Sequence, residues 1–359
     1  SGAACVVVRD TGTYAEQVAV RNFNTNGYRL KIMPDPAFSA AAPVLRPPAA
    51  STAAFVLAAD SVTVQGFRIE PQAALAYGIY SSSASLSVSD VDVNDAAGDI
   101  FGAGLRLGGF DGAVSGSTVV VNGALASGIF LDGASSTAVR DVNVSNTGGG
   151  RALVLERSSY SYISGSRFSG SGFNGMYYGP DYLSALRLKW SVSNTIENCS
   201  IENTAAHGVG ASLESSDDNT ITGSTVSAAS LVVNISNSSG NAVTGSSLYG
   251  GDEMLGIYLQ GGSWNRVEGS TVTCSMSGVC LEGGSAVIIE GGAHAAVRNS
   301  YLRAGYSAAA VISSPDTLLE SNHMAAGSGA VDGVVRFSGG NNTLIASNTI
   351  TGLQGIGIN

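Results

Sequence analysis

The feature that most constrains this chain is a six-residue unit that recurs twelve times between residues 64 and 350. It reads VQGFRI at 64–69, VSDVDV at 88–93, VSGSTV at 114–119, VRDVNV at 139–144, ISGSRF at 163–168 and IENCSI at 196–201. ITGSTV (221–226), VTGSSL (243–248), VEGSTV (267–272), VRNSYL (297–302), LESNHM (319–324) and IASNTI (345–350) complete the series. Copies lie roughly 22–26 residues apart except at two longer gaps. A fixed period in this range is the mark of a solenoid.

The unit reads as a strand that bends once. Its first position is Val, Ile or Leu and its sixth is apolar in every copy, while the second and fifth are mostly polar. This is the in–out alternation of a strand. The third position is Gly, Asn or Asp in ten copies (Gly66, Asp90, Gly116, Asp141, Gly165, Asn198, Gly223, Gly245, Gly269, Asn299). These residues tolerate a left-handed backbone, so the strand is predicted to turn there. The fourth position is Ser in six copies, small enough to stack inside a corner. Strand, bend and strand in every turn of about 24 residues predict an all-β chain. The fold expected is a single-stranded right-handed parallel β-helix of about twelve or more rungs with an N-terminal cap segment.

On these repeats, and on the Gly12-Thr13-Tyr14-Ala15-Glu16 turn ahead of the first full rung, the chain resembles the pectin-lyase-like β-helix superfamily from about Cys5 to its end. That grouping is defined by coil geometry, so the resemblance implies the fold and leaves the chemistry open. Residues 1–60 lack the hexapeptide and are expected to form a cap and the first coils, with the Pro-rich piece 34–48 looped on the outside. Residues 61–359 are expected to be one continuous domain. Its last residues read as a rung cut short, an end that a larger parent chain or an oligomer is expected to cover.

Composition narrows the function. The net charge is −10, and Lys31 and Lys189 are the only lysines, so no basic track exists for nucleic acid. No apolar run approaches a membrane span. The 48 glycines and only 12% charged residues suit short strands joined by tight bends. Cys274 and Cys280 flank a five-residue loop and are spaced for a local disulfide in an oxidising compartment, whereas Cys199 takes a place in the small inward column. No CxxC or HxxxH spacing points to a metal.

A second strand recurs between the hexapeptides, as in Gly128-Ile-Phe-Leu-Asp132, Ala152-Leu-Val-Leu-Glu156, Ala185-Leu-Arg-Leu-Lys189, Gly256-Ile-Tyr-Leu-Gln260 and Gly278-Val-Cys-Leu-Glu282. Alternation sends two rows outward. One holds Arg106, Phe130, Val154, Arg187, Ser212, Tyr258 and Cys280; the other holds Asp132, Glu156, Lys189, Glu214, Gln260 and Glu282. The two long gaps read as insertions, and the first carries Phe173, Met176, Tyr177, Tyr178, Tyr182 and Trp190. Loops projecting from a rigid scaffold commonly carry binding residues.

Asp132, Glu156, Arg187, Lys189 and Glu214 are therefore the candidate catalytic residues. Arg106, Phe130, Tyr177, Tyr178, Tyr182, Trp190 and Tyr258 are the candidate substrate contacts. Rungs about 4.8 Å apart put Asp132 and Glu156 near retaining-glycosidase spacing, and Glu156 and Glu214 nearer the inverting one. Alternatively Lys189 or Arg187 removes a proton next to a uronate carboxylate, with Ca2+ neutralising the substrate in a lyase; no cofactor is otherwise required. The same row also reads as a solvated face in which Lys189 relieves repulsion between glutamates. Against β-helix polygalacturonases, which carry Asp-Asp, Gly-His-Gly and Arg-x-Lys in that order, this chain has Arg187-Leu-Lys189, Ala206-His207-Gly208 and Asp217-Asp218, the reverse order. His207 and the Asp pair accordingly read as turn residues. His294 and His323 have no acidic or nucleophilic partner close in sequence. Two functions follow as expectations. One is an extracellular polysaccharide-engaging protein, with hydrolase or lyase activity on the face beside residues 171–190. The other is a non-catalytic adhesin, stalk or glycan-binding rod on a bacterial surface.

Overall fold

The computed structural model describes residues 4–21, 26–37, 41–172, 184–251, 255–274, 284–305, 307–327, 333–352 and 358. Among them every regular element is a strand, and together these make about 13 turns of β-solenoid. The chain divides into two compact units, Ser1–Ser171 and Gly172–Asn359.

Each turn supplies one strand to each of three parallel sheets. In the first unit, sheet A runs from Ala4–Val8 to Tyr162–Ser164. Sheet B runs from Thr13–Tyr14 to Arg167–Gly170, and sheet C from Val18–Val20 to Arg151–Glu156. In the second unit sheet A runs from Thr195–Glu197 to Leu344–Ala346, sheet B from Ser200–Asn203 to Thr349–Gly352, and sheet C from Ser184–Lys189 to Val335–Phe337. The hexapeptide thus holds two strands, its front half in sheet A and its back half in sheet B. Its first and sixth residues stack as the core: Val88, Val139, Ile163, Ile221 and Val297 are fully buried, as are Val93, Val144, Phe168, Val226 and Leu302.

The bend is where the sequence placed it. All twelve third positions have positive φ, from 50° at Asn299 to 75° at Gly66. The two copies without Gly, Asn or Asp obey the same rule, Ser321 at 55° and Ser347 at 56°. A serine is strained in that region, so Ser321→Gly is expected to raise unfolding stability in urea by up to about 1 kcal/mol, the relief being partly offset by glycine's greater freedom when unfolded. No rise would mean that the stacked neighbours already relieve the strain.

Fourth-position serines form a ladder at the same corner. The N–H groups of Ser224 and Ser246 donate to the hydroxyls of Ser246 and Ser270 one turn on, at 3.2 Å each. Each hydroxyl in turn donates to the carbonyl two residues back, as Ser246 does to Thr244 at 2.9 Å. Cys199 keeps a rung of this ladder. It is buried, its N–H donates to Ser224 Oγ at 3.1 Å, and its Sγ lies 3.3 Å from Glu197 O.

Two sequence expectations change. The Pro-rich piece is not entirely external, because Val44–Leu45 pairs in sheet B with both neighbours and Leu45 is buried. Of its prolines, Pro34 ends a sheet A strand opposite Val8, and Pro43 stands just before the paired residues, where it needs only its carbonyl to accept Arg68 N–H at 3.0 Å. Further on, the sheet C strand that follows Leu255–Gln260 is Val287–Glu290, which pairs Tyr258 with Ile288 and Gln260 with Glu290. Ile288 and Glu290 thus hold the row positions next to Tyr258 and Gln260, and Cys280 and Glu282 lie outside the described residues.

Candidate functional site

In the first unit, the outer face of sheet C gathers aromatic and charged side chains around Arg106. Tyr77 and Tyr80 come from Leu75–Ser81, Arg106 from Ile100–Leu107, and Phe130 and Asp132 from Ser127–Asp132. Register aligns Tyr80, Arg106 and Phe130 on successive rungs, and Asp132 with Glu156. The Arg106 guanidinium lies over three rings, with centroids at 5.3 Å (Tyr77), 5.8 Å (Tyr80) and 5.5 Å (Phe130). It donates to the Tyr77 hydroxyl, and its Nη2 meets Asp132 Oδ2 at 2.5 Å. Tyr77 and Tyr80 stack at 5.2 Å. Arg157 Nη2 closes the cluster, 2.6 Å from Asp132 Oδ1 and 3.7 Å from Glu156 Oε1.

This geometry sets the chemistry of Asp132. Burial alone would raise its pKa, but hydrogen bonds from Arg106 and then Arg157 outweigh burial and hold it below the usual carboxylate value. Arg106 balances the same way: burial works against its charge, and the bonds to Asp132 and Tyr77 raise its pKa above the ordinary one. A glycosidase general acid needs a raised pKa, so Asp132 is unsuited to that role. Both of its oxygens already accept from guanidinium groups, which weakens it as a nucleophile too. What the cluster offers is a pre-organised set of rings and paired charges.

In the second unit the outer row of sheet C is largely buried. Arg187 is 7% exposed, Ser212 0% and Asn234 3%, so this part of the row is not the solvated face that alternation alone permits. Arg187 clamps Glu214 through two bonds, Nε to Oε1 at 3.1 Å and Nη2 to Oε2 at 2.7 Å, and Ser212 Oγ lies 3.3 Å from Glu214 Oε1. Asn234 Oδ1 is buried and accepts no hydrogen bond among the described residues. Lys189 aligns with Glu214 in register, and its Nζ sits 4.5 Å from the ring centre of the half-exposed Trp190. Tyr258 donates its hydroxyl to Glu290.

The candidate residues thus fall into two groups described separately: Arg106, Phe130, Asp132 and Glu156 in one unit, and Arg187, Lys189, Trp190, Glu214 and Tyr258 in the other. Tyr177, Tyr178 and Tyr182 lie outside the described residues. His207 sits in the turn closed by Gly208 N–H to Ala205 O at 3.0 Å, and Asp217 Oδ1 accepts Ser239 N–H at 2.7 Å from the next rung, a bond between coils and not within a turn. Reasoning from sequence missed Tyr77, Tyr80 and Arg157. His294 has no acidic partner close in sequence, but Asp316 Oδ2, one turn on, lies 3.8 Å from its Nδ1. Their 22-residue spacing is one turn of the coil, a signal present in the repeat itself. No three acidic, His or Cys side chains converge into a metal-holding group among the described residues, so no step is assigned to Ca2+. Among them, no helix is long and apolar enough to cross a membrane.

Comparison with known proteins agrees with this geometry. A family profile described as a right handed beta helix region matches residues 127–291. The fold is that of a right-handed parallel β-helix. No curated protein matches it in sequence. Solved structures of the same fold include the periplasmic alginate epimerase AlgG, 9% identical over 94% of this chain and 78% of that one, with a TM-score of 0.59. The DFA-IIIase of Arthrobacter chlorophenolicus in complex with GF2 is 15% identical over 81% and 83%, with a TM-score of 0.58. The Dettilon tailspike protein is 12% identical over 96% of this chain, with a TM-score of 0.53, and the chain spans 61% of its length. At these identities the likeness to solved structures shows the fold alone.

Proposed function

We propose that this β-helix protein engages an extracellular or cell-surface polysaccharide through the outer face of sheet C in its first unit. The observation that carries the reading is the Arg106 guanidinium fixed among Tyr77, Tyr80 and Phe130 and neutralised by Asp132. Planar rings offer apolar faces to sugar C–H groups, while the Arg–carboxylate edges bind hydroxyls in a fixed geometry at little conformational cost. A periplasmic alginate epimerase and a tailspike protein share this fold, and the first is the ground for choosing a polysaccharide as the ligand to test. Asp132 acts in binding and stays ionised.

A second reading, a lyase or hydrolase, is favoured by Lys189, whose amine is held over Trp190 and next to Glu214 in register. One experiment separates the two. Arg106→Ala is expected to weaken polysaccharide binding in affinity electrophoresis by about tenfold, the worth of one partly buried aromatic–cation cluster. No reducing ends or 235 nm absorbance are expected from acidic or neutral polysaccharides. Product that appears with wild type and vanishes in Lys189→Ala and Glu214→Gln would replace binding by catalysis as the function. Unchanged binding by Arg106→Ala would remove this face from it.

A further inference from the structure

We infer that a recess on the outer face of sheet B in the second unit binds one acidic sugar ring, its carboxylate or sulfate at Arg303 and its ring against Tyr301 and His323. Four successive strands build this face, Thr271–Cys274, Tyr301–Arg303, His323–Ala326 and Thr349–Gly352. Register stacks their outward residues in two rows. One holds Thr271, Tyr301, His323 and Thr349; the other holds Thr273, Arg303, Ala325 and Thr351. A recess of about 320 Å3 opens here, lined by Tyr301, Arg303, His323, Ala325 and Thr351 together with the small residues of the adjoining corner. That is the small end of the roughly 300–1,000 Å3 range of small-molecule sites, which suits a single ring.

The recess exists because one rung is short. Arg303 and Thr351 stand two rungs apart, about 9.6 Å, and the rung between them carries only the Ala325 methyl group. Along one side the exposed Tyr301 and His323 rings lie 5.2 Å apart at an angle of 38°, an aromatic wall on successive rungs. Along the other side the coil leaves sheet B through Ala304 and Gly305 on one turn and Ala326 and Gly327 on the next. A Cβ on Gly327 would stand 1.7 Å from Gly305 O, and Ala304 N–H donates to Ala325 O at 2.9 Å, so this edge is closely packed main chain. Thr351 Oγ1 donates to Met324 O at 3.4 Å, which leaves the oxygen able to accept.

Charge selects the occupant. The protein carries a net charge of −10, yet none of the eight outward residues of this face is acidic and one is a guanidinium. Glu320, in the sheet A strand just before the bend that leads to His323, is met by Arg298 at 3.3 Å. An anion is therefore drawn to Arg303, whose fork of N–H groups matches two oxygens of a carboxylate or sulfate. The aromatic wall takes the C–H face of the ring that carries the anion, and Thr351 accepts from a ring hydroxyl. Sulfate alone would use the guanidinium and leave the wall unused. The recess lies on a different sheet and in a different unit from the Arg106 cluster, and it does not rest on the function proposed for that face.

Calorimetric titrations in Arg106→Ala protein keep the sheet C face out of the measurement. Hexagalacturonate, a chondroitin sulfate hexasaccharide, cellohexaose and sodium sulfate are the probes. At least one of the two acidic sugars is expected to bind, and more tightly than cellohexaose or sulfate. Adding Arg303→Ala is expected to weaken that binding about tenfold or more, the scale of one hydrogen bond to a charged group. Ala325→Leu fills the short rung at an outward position, keeps the guanidinium, and is expected to weaken it as much. Three results overturn the recess: neither acidic sugar binds; binding is unchanged in Ala325→Leu protein whose far-UV circular dichroism shows the fold retained; or sulfate or cellohexaose binds as tightly as the acidic sugar. Each of them leaves the sheet C proposal standing.

Discussion

Asn219→Ala is expected to lower the stability of the second unit by about 3–5 kcal/mol, more than any single change on its surface. Asn194, Asn219, Asn241 and Asn265 stack one per turn and are at most 2% exposed. Asn219 Oδ1 accepts the backbone N–H and the side-chain amide of Asn194, both at 2.9 Å. Its own amide donates to Ser191 O and Asp217 O at 2.9 Å and to Asn241 Oδ1 at 3.2 Å. Alanine strands donors and acceptors that no water reaches, and each buried orphan costs about 1–3 kcal/mol before relaxation. Urea unfolding of Asn219→Ala beside Ser216→Ala measures this. The serine makes one bond of each kind, from Ser191 N–H at 3.0 Å and to Glu214 O at 2.9 Å, and should cost about 1 kcal/mol. Equal losses in the two variants would show that the asparagine column is merely packed, not bonded as a ladder.

Arg187→Leu is expected to cost about 3–5 kcal/mol, because it leaves the Glu214 carboxylate buried without its bidentate partner. The two side chains are only 9% and 13% exposed, so water replaces little of what is lost. The double variant Arg187→Leu/Glu214→Leu is expected to recover most of the loss, since an apolar pair of similar volume is often as stable as a buried ion pair. Thermal and urea unfolding of the two variants decide this. A double variant no better than the single one would mean that the arginine matters for its packing and not for the charge it neutralises.

The fold was legible because a solenoid repeats its physics. A left-handed bend favours Gly, Asn or Asp, and a coil interior needs an apolar residue at fixed places, so the hexapeptide announced the corner between sheets A and B by residue type in ten copies and by period alone at Ser321 and Ser347. The Ser column, and the placing of Cys199 within it, followed from size alone. Less of the candidate sites was visible. Arg106, Phe130 and Asp132 were drawn from the alternation of sheet C, but Tyr77, Tyr80 and Arg157 were not. Tyr80 stands on the same row as Arg106 and Phe130, one rung before the row was begun, whereas Tyr77 and Arg157 lie off that row and reach the cluster by side-chain length and not by period.

By itself the sequence determined the rung, the corner and the inward columns, since each depends on backbone conformation and on residues at one fixed period. The tertiary structure decided which outward side chains are exposed and which are buried. Arg187 and Phe130 occupy equivalent positions in the alternation, yet one is sealed against Glu214 and the other lies beneath a guanidinium. It also decided that the exposed Trp264 stacks on His294, one turn further along. The physical reason is that neighbours in a solenoid are one turn apart, some two dozen residues along the chain. Local pattern states what each position prefers, and only stacking shows what it meets.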